Sequence, residues 1–342
     1  MIKRIVVLLF GTLAIAIAAV LILGVFWSRT EHGHLDYEAA IALKLRAAFS
    51  GEEVLTPARM REEAISRART LQSRPVGVAR IEEMKIPGPA GEIPIRVYWP
   101  REGVPLPVLV YYHGGGWVIG DLDTNDSLCR MLSNRASAVV VSVDYRLAPE
   151  HPFPAAVDDS YAALVWVSRN AESLGVDRSR IAVGGGSAGG NLTAAVALMA
   201  RDRGGPELVY QVMIYPATNL FDLTTASHRD FAEGYGLTRK HVEFFRDSYL
   251  PELADRRSPY ASPLLAESLE DLPPAIVITA GFDVLRDEGI AYAERLEAAG
   301  VPTLRAHYPS MIHGFVTIDR LFGEADDAID EAAAALSEAF QR

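Results

Sequence analysis

The chain has 342 residues, of which 49% are hydrophobic and 23% charged, and its formal net charge is −11. This length holds one large α/β domain plus a smaller appended piece, with no compositional bias toward disorder. The acidic balance, with no Lys/Arg run, argues against nucleic acid as a partner; the single cysteine, Cys129, excludes an intramolecular disulfide and a thiolate zinc cluster.

The N-terminus carries an address. Ile5 to Trp27 is free of charge, with Lys3 and Arg4 before it and Arg29 after it. A helix of that length spans roughly 34 Å, enough for a hydrocarbon core of about 30 Å. The basic residues ahead of the span favour a cytoplasmic N-terminus and place the bulk of the chain across the membrane. The expectation is an uncleaved anchor within residues 1–29 that meets the membrane through residues 5–27. A cleaved signal peptide and a secreted or periplasmic product is the alternative, although signal cores are shorter and no clear small-x-small site follows.

Residues 30–78 contain two amphipathic stretches, Tyr37–Phe49 and Pro57–Gln72, the second with Thr56 as a candidate cap and Pro57 at its start. Plain packing and cover of a substrate pocket are both open to them. From Ala79 onward strand-like runs alternate with helical patterns: Arg80–Ile86, Ile93–Trp99, Pro107–Tyr112, Ala138–Val143, Arg180–Val183, Val209–Tyr215, Ala275–Ala280 and Thr303–Tyr308, with helices Ser127–Arg135, Val157–Asn170, Ala188–Arg201 and Asp287–Ala299 between. That rhythm predicts an α/β fold, a mostly parallel sheet with helices on both faces, its first strands antiparallel. Residues 79–342 form this domain. The segment 216–260, rich in Tyr, Phe, His and Arg, interrupts the rhythm and is longer than an ordinary connection, as lids and caps are.

Within that domain, His113-Gly114-Gly115-Gly116-Trp117 follows a strand. Successive glycines leave backbone N–H groups free to point into a cavity, where they stabilise a developing oxyanion. Cys129 reads as a small buried residue on a helix. Next, Gly185-Gly186-Ser187-Ala188-Gly189 fits the G-x-S-x-G turn between strand and helix, which projects a nucleophilic serine. The same stretch satisfies G-x-G-x-x-G, but the strand that follows ends in Pro216-Ala217 rather than in the acid a dinucleotide site needs.

An acid and a base must follow the serine in chain order. Asp283 comes just after a strand and His313 just after the last one. Asp287 is the rival acid but reads as the opening of a helix. His307 is the rival base but reads as packed within a strand. His113 precedes the serine and breaks the order; His32, His34, His151, His228 and His241 read as surface or cap residues.

Taken together, these motifs resemble the hormone-sensitive lipase family of esterases, with its bacterial members and the arylacetamide deacetylases. The resemblance covers about residues 79–342. It rests on His113–Trp117, Tyr145–Glu150 with Pro152–Ala156, Ser187–Asn191, Asp283–Asp287 and His313–Phe315. It implies an eight-stranded sheet, a cap built from the N-terminal helices and residues 216–260, and an oxyanion hole from the amides of Gly115, Gly116 and Ala188, with His113, Gly114 and Gly186 supporting. Relatives in that family carry Asp or Thr before the nucleophile; this chain has Gly186, which puts the rigidity around the turn in question rather than the triad.

The expected chemistry is hydrolysis of a carboxylic ester, of short to medium acyl length on the family's pattern, by double displacement. Ser187 is the nucleophile, His313 the base and Asp283 its orienting acid, with no metal or organic cofactor. A deacetylase or amidase on the same triad is the nearest alternative. A non-catalytic receptor would have lost the base, which is present. A Ser–Lys hydrolase lacks its S-x-x-K, the lysines being Lys3, Lys44, Lys85 and Lys240.

Overall fold

The computed structural model describes residues 20, 22–49, 54–103 and 105–342. A small antiparallel ribbon, β1 (Arg29–Thr30) and β2 (Gly33–His34), precedes the main sheet. That sheet contains β3 (Arg80–Gly88), β4 (Gly91–Trp99), β5 (Leu106–Tyr112), β6 (Val139–Val143), β7 (Val176–Gly186), β8 (Tyr210–Ile214), β9 (Ala275–Phe282) and β10 (Thr303–Ile312). Its eight strands run in the order β10-β9-β8-β7-β5-β6-β4-β3. β3–β4 and β4–β6 are antiparallel and every other pair is parallel.

Burial explains the strand sequences. Every residue of β5, β6, β8 and β9 is buried; strands covered on both faces read as continuous apolar runs rather than alternations. β3 lies at the edge and is only partly buried, carrying Glu82, Glu83 and Lys85, and charges there discourage pairing with another chain.

The direction of winding reverses at β5. From β5 the chain crosses through the helix Asp126–Ala136 to β6 on one side, then through Ala155–Arg169 back past β5 to β7. Right-handed crossovers in opposite directions put their helices on opposite faces. Asp126–Ala136 accordingly packs on Gly323–Ala339, and Ala155–Arg169 on Ala188–Asp202. A crevice opens outside the carboxyl ends of the strands at such a switch point. The loop after β5 carries Gly114–Gly116, and Ser187 directly follows the end of β7.

Besides a 3-10 turn, Asp255–Arg257, residues 216–260 hold two α-helices, Ala226–Asp230 and Arg239–Tyr249. Thr225 and Thr238 cap them by accepting the His228 and His241 amides. The helix Gly323–Ala339 has no counterpart in the sequence expectations, yet its buried face, Ala325, Ala328, Ile329, Ala332, Ala333 and Leu336, follows helical spacing. Of the expected anchor at 5–27, residues 5–19 and 21 lie outside the described residues. Among the described residues no helix is long and apolar enough to cross a membrane.

Candidate active site

The turn at Ser187 is built from close approaches that only glycine permits. A Cβ on Gly189 would lie 1.9 Å from the Tyr112 carbonyl oxygen, and one on Gly185 2.4 Å from the same atom and 2.5 Å from the Gly189 carbonyl oxygen. Strand, turn and helix therefore cross at backbone contact. Ser187 is held at φ 57°, ψ −119°, a conformation costing on the order of 1–3 kcal/mol that persists because surrounding bonds fix it. Its amide donates to the Ile214 carbonyl at 2.8 Å, and its own carbonyl accepts from Asn191 at 3.0 Å. The result is a hydroxyl lifted off the end of β7, ahead of the N-terminus of the helix Ala188–Asp202.

The residues expected from chain order meet there. His313 Nε2 lies 3.0 Å from Ser187 Oγ, and His313 Nδ1 lies 2.7 Å from Asp283 Oδ2. The other oxygen, Asp283 Oδ1, accepts the Leu285 amide at 2.9 Å. A carboxylate only accepts, so Nδ1 carries the proton and Nε2 turns its lone pair to the serine hydroxyl. The Asp283 side chain is 1% exposed and that of His313 11%: the acid is sealed behind the imidazole, and the imidazole opens on the crevice. The Tyr215 ring packs 4.7 Å from the His313 ring and limits its swing.

Gly115 and Gly116 adopt φ +125° and +58°. The Gly115 carbonyl accepts the amides of Val118 and Ile119 at 3.1 and 2.9 Å, which folds the loop back on itself. Among the described residues the amides of Gly115 and Gly116 find no backbone acceptor. A Cβ on Gly116 would fall 2.2 Å from the Phe245 ring, and one on Gly114 2.9 Å from the Gly186 carbonyl oxygen. The glycine loop is thereby wedged between the serine turn and the helix Arg239–Tyr249. His113 is fully buried beneath it, with Nδ1 2.8 Å from the Gly114 carbonyl oxygen and its ring stacked 4.2 Å from Tyr145, whose hydroxyl donates to the His113 carbonyl at 2.8 Å. Burial holds the His113 pKa below the ordinary histidine range. It is a neutral strut under the loop.

A cavity of about 520 Å³ collects Ser187, His313, Ala188 and Gly114–Gly116 on one wall. Leu43, Met60 and Ala64 of the N-terminal helices and Val242 and Phe245 of residues 216–260 form much of the other. A second, larger cavity of about 920 Å³ holds none of these groups; it is lined largely by charged side chains such as Arg96, Asp123, Asp126 and Arg130, which are paired among themselves.

The rival residues lie elsewhere. Asp287 opens the helix Arg286–Ala298 and accepts the Ser227 amide at 2.8 Å. His307 bonds Thr279 Oγ1 at 2.9 Å, and although its strand position suggested packing it is exposed, on the outermost strand. His228, expected at the surface or in a cap, is fully buried against Glu288 at 3.2 Å. Glu288 also accepts the Thr218 and Asn219 amides at 2.7 and 3.2 Å, and burial raises its pKa. This pair pins the start of the 216–260 segment. Asn191, inside the serine motif, does the same from below by donating to the Ala217 and Ala261 carbonyls. Spacing alone gave no sign of either anchor. Cys129 is buried as expected, and burial pushes its thiol up to about 12. Among the described residues no group of His, Cys, Asp and Glu is arranged to hold a metal ion.

Residues 109–317 match a family model described as the alpha/beta hydrolase fold. Carboxylic ester hydrolase LipN of Mycobacterium tuberculosis is 48% identical over 75% of this chain and 69% of its own length. Carboxylesterase NlhH of the same species is 47% identical over 81% of this chain and 89% of its own. Among solved structures, an ester-hydrolase from the metagenome of Lake Arreo, complexed with a derivative of bipyridine phosphonate, is 44% identical with a TM-score of 0.86 over 90% of this chain and 100% of its own. The esterase of Pyrobaculum calidifontis is 45% identical with a TM-score of 0.82 over 87% of this chain and 96% of its own.

Proposed function

The chain belongs to the α/β-hydrolase fold family, among the hormone-sensitive lipase-like carboxylesterases, and is a carboxylic ester hydrolase; from that premise we propose that Ser187, His313 and Asp283 carry out its reaction. His313 Nε2 removes the hydroxyl proton as Ser187 Oγ attacks the ester carbonyl. Asp283 keeps the imidazole in the required tautomer and stabilises its cation. The amides of Gly115, Gly116 and Ala188 receive the oxyanion, each worth about 3–4 kcal/mol in comparable sites. His313 then protonates the leaving alcohol, an acyl-enzyme remains, and water repeats the sequence. His113, Gly114 and Gly186 support the loop and turn without touching the reacting atoms.

The observation that carries this reading is the continuous relay of 3.0 and 2.7 Å from hydroxyl through imidazole to carboxylate. Ser187→Ala tests it on an activated nitrophenyl ester: turnover falls to the roughly 10³–10⁴-fold residual acceleration left by binding and oxyanion stabilisation. Near wild-type turnover by that variant refutes the assignment.

The apolar wall of Leu43, Val242 and Phe245 supports a preference for short to medium acyl chains. A chain-length series of nitrophenyl esters reads it directly. The helices of residues 30–78 and the segment 216–260 act as the cap over the catalytic domain 79–342. Residues 5–27 act as a membrane anchor with the catalytic domain on the extracytoplasmic side. In support, the span carries no charge, and its C-terminal part leaves Ile22 and Phe26 70% and 72% exposed. Release of the full-length chain by alkaline carbonate counts against the anchor.

A further inference from the structure

The helix Pro57–Leu71 turns one stripe toward the cavity that holds Ser187. Met60, Ala64, Ala68 and Leu71 on that stripe are small or apolar, as a pocket for a hydrocarbon chain requires, but Glu63 and Arg67 occupy the same face. Its neighbours on the helix are engaged elsewhere. Arg61 grips both Glu150 oxygens at 2.8 and 2.7 Å, and Arg59 holds Glu63 at 2.8 Å. Among the described residues Arg67 has no carboxylate at ion-pair distance and no hydrogen-bond acceptor.

A second guanidinium, Arg46 from the helix Tyr37–Phe49, lines the same cavity. Crowding by protein, then repulsion from Arg46, with the Glu63 carboxylate offsetting part of it, holds the Arg67 pKa below the ordinary arginine value. Its side chain nevertheless keeps exposed surface, as expected in a water-filled cleft rather than a sealed core. Guanidinium stays charged under such stress. Glu63 lines the same cavity but is held by Arg59 at 2.8 Å, so among the described residues the Arg67 guanidinium faces the cavity without an ion-pair partner, a place that an anion would fill.

We propose that Arg67 is a specificity-determining residue that binds a carboxylate on the substrate, so that this hydrolase favours esters bearing a carboxylate remote from the scissile carbonyl. The proposal rests on the hydrolase reading above and adds a substrate class to it. Guanidinium suits the task because its planar fork meets a carboxylate through two parallel hydrogen bonds.

The test compares charged and neutral esters of matched length. Nitrophenyl hemiglutarate against nitrophenyl pentanoate places the carboxylate on the acyl side; 4-acetoxybenzoate against phenyl acetate places it on the alcohol side. In Arg67→Gln the charged-to-neutral ratio of kcat/KM falls about tenfold for one pair, which also identifies the side, while Arg67→Lys, which keeps the charge but not the fork, retains only part of it. In the wild type the same ratio falls as NaCl is raised. A ratio unchanged by Arg67→Gln for both pairs, or a wild-type ratio indifferent to salt, overturns the proposal. Calorimetric binding of monomethyl glutarate to the Ser187→Ala protein separates the subsite from the hydrolase reading, since it needs no turnover. About tenfold weaker binding after adding Arg67→Gln supports the subsite, and equal binding overturns it.

Discussion

Gly115→Ala puts the glycine loop under a defined load. At φ +125° any side chain is strained, and the new Cβ would lie 2.1 Å from the Ile119 carbonyl oxygen and 2.8 Å from Ile119 Cγ1. The nearest atom is backbone, so no rotamer change relieves the clash, and the loop must open. Opening it loosens the two bonds to the Gly115 carbonyl from Val118 and Ile119, each worth about 1 kcal/mol net. Strain in the left-handed half of backbone space adds about 1–2 kcal/mol. The expected loss of stability is therefore about 3–4 kcal/mol. The shift also carries the Gly115 amide away from the oxyanion position, which costs kcat about 10²–10³-fold while KM changes little. The assay is steady-state hydrolysis of nitrophenyl butyrate by the folded fraction, with thermal unfolding recorded alongside. A folded Gly115→Ala protein with kcat within about threefold of wild type would refute the oxyanion role of that amide.

The remaining predictions concern neighbours of the site. At Gly186 a Cβ meets the Tyr215 ring at 3.3 Å and the Ile214 carbonyl oxygen at 3.8 Å, with no positive φ. Gly186→Asp is therefore expected to change turnover or stability modestly, within about tenfold in kcat, and a loss as large as that of Ser187→Ala would contradict the turn geometry. Asp283→Asn should lower kcat about 10⁴-fold by favouring the wrong imidazole tautomer, with KM nearly unchanged; a tenfold effect would mean that the carboxylate does not orient His313. Burial, with Asp121 and Asp123 adding repulsion and Arg96 offsetting part of it, raises the Asp144 carboxyl to about 6. A raised carboxyl supports the fold most below its unfolded pKa of about 4, and that support is lost as pH rises through about 6. Asp144→Asn should accordingly stabilise the protein by about 1–2 kcal/mol at pH 8, after discounting for partial exposure, and by much less at pH 4. Equal shifts in melting temperature at the two pH values would count against it.

The turn at Ser187 and the two residues that meet it, Asp283 and His313, were legible because their positions are fixed locally. Gly185 and Gly189 have to lack side chains where strand and helix cross, and Asp283 and His313 have to fall just past strand ends to reach one rim. The nearly continuous apolar runs of β5, β6, β8 and β9, broken only by Ser142, Gln211 and Thr279, were legible for a related reason: two-sided burial leaves no polar alternation. What depends on distant partners was not. His228 was read as a surface or cap residue and does lie in the 216–260 segment, but its burial was not legible, because its partner Glu288 lies on a helix past the next strand. Arg67 sits in a sequence full of arginines, and only the fold distinguishes it from Arg59 and Arg61, which have found their acids. The helix Gly323–Ala339 buries an alanine-rich face against Asp126–Ala136, and alanine gives weak periodicity where larger apolar residues would have marked the stripe.

Activation of one hydroxyl by one imidazole is tested most directly by covalent capture. The wild-type protein is treated with an organophosphonate ester, digested and mapped by mass spectrometry. A single stoichiometric adduct on the peptide containing Ser187, formed far more slowly in His313→Gln, is the expected result. Rapid labelling of another residue, or a rate at Ser187 indifferent to the loss of His313, would contradict the account.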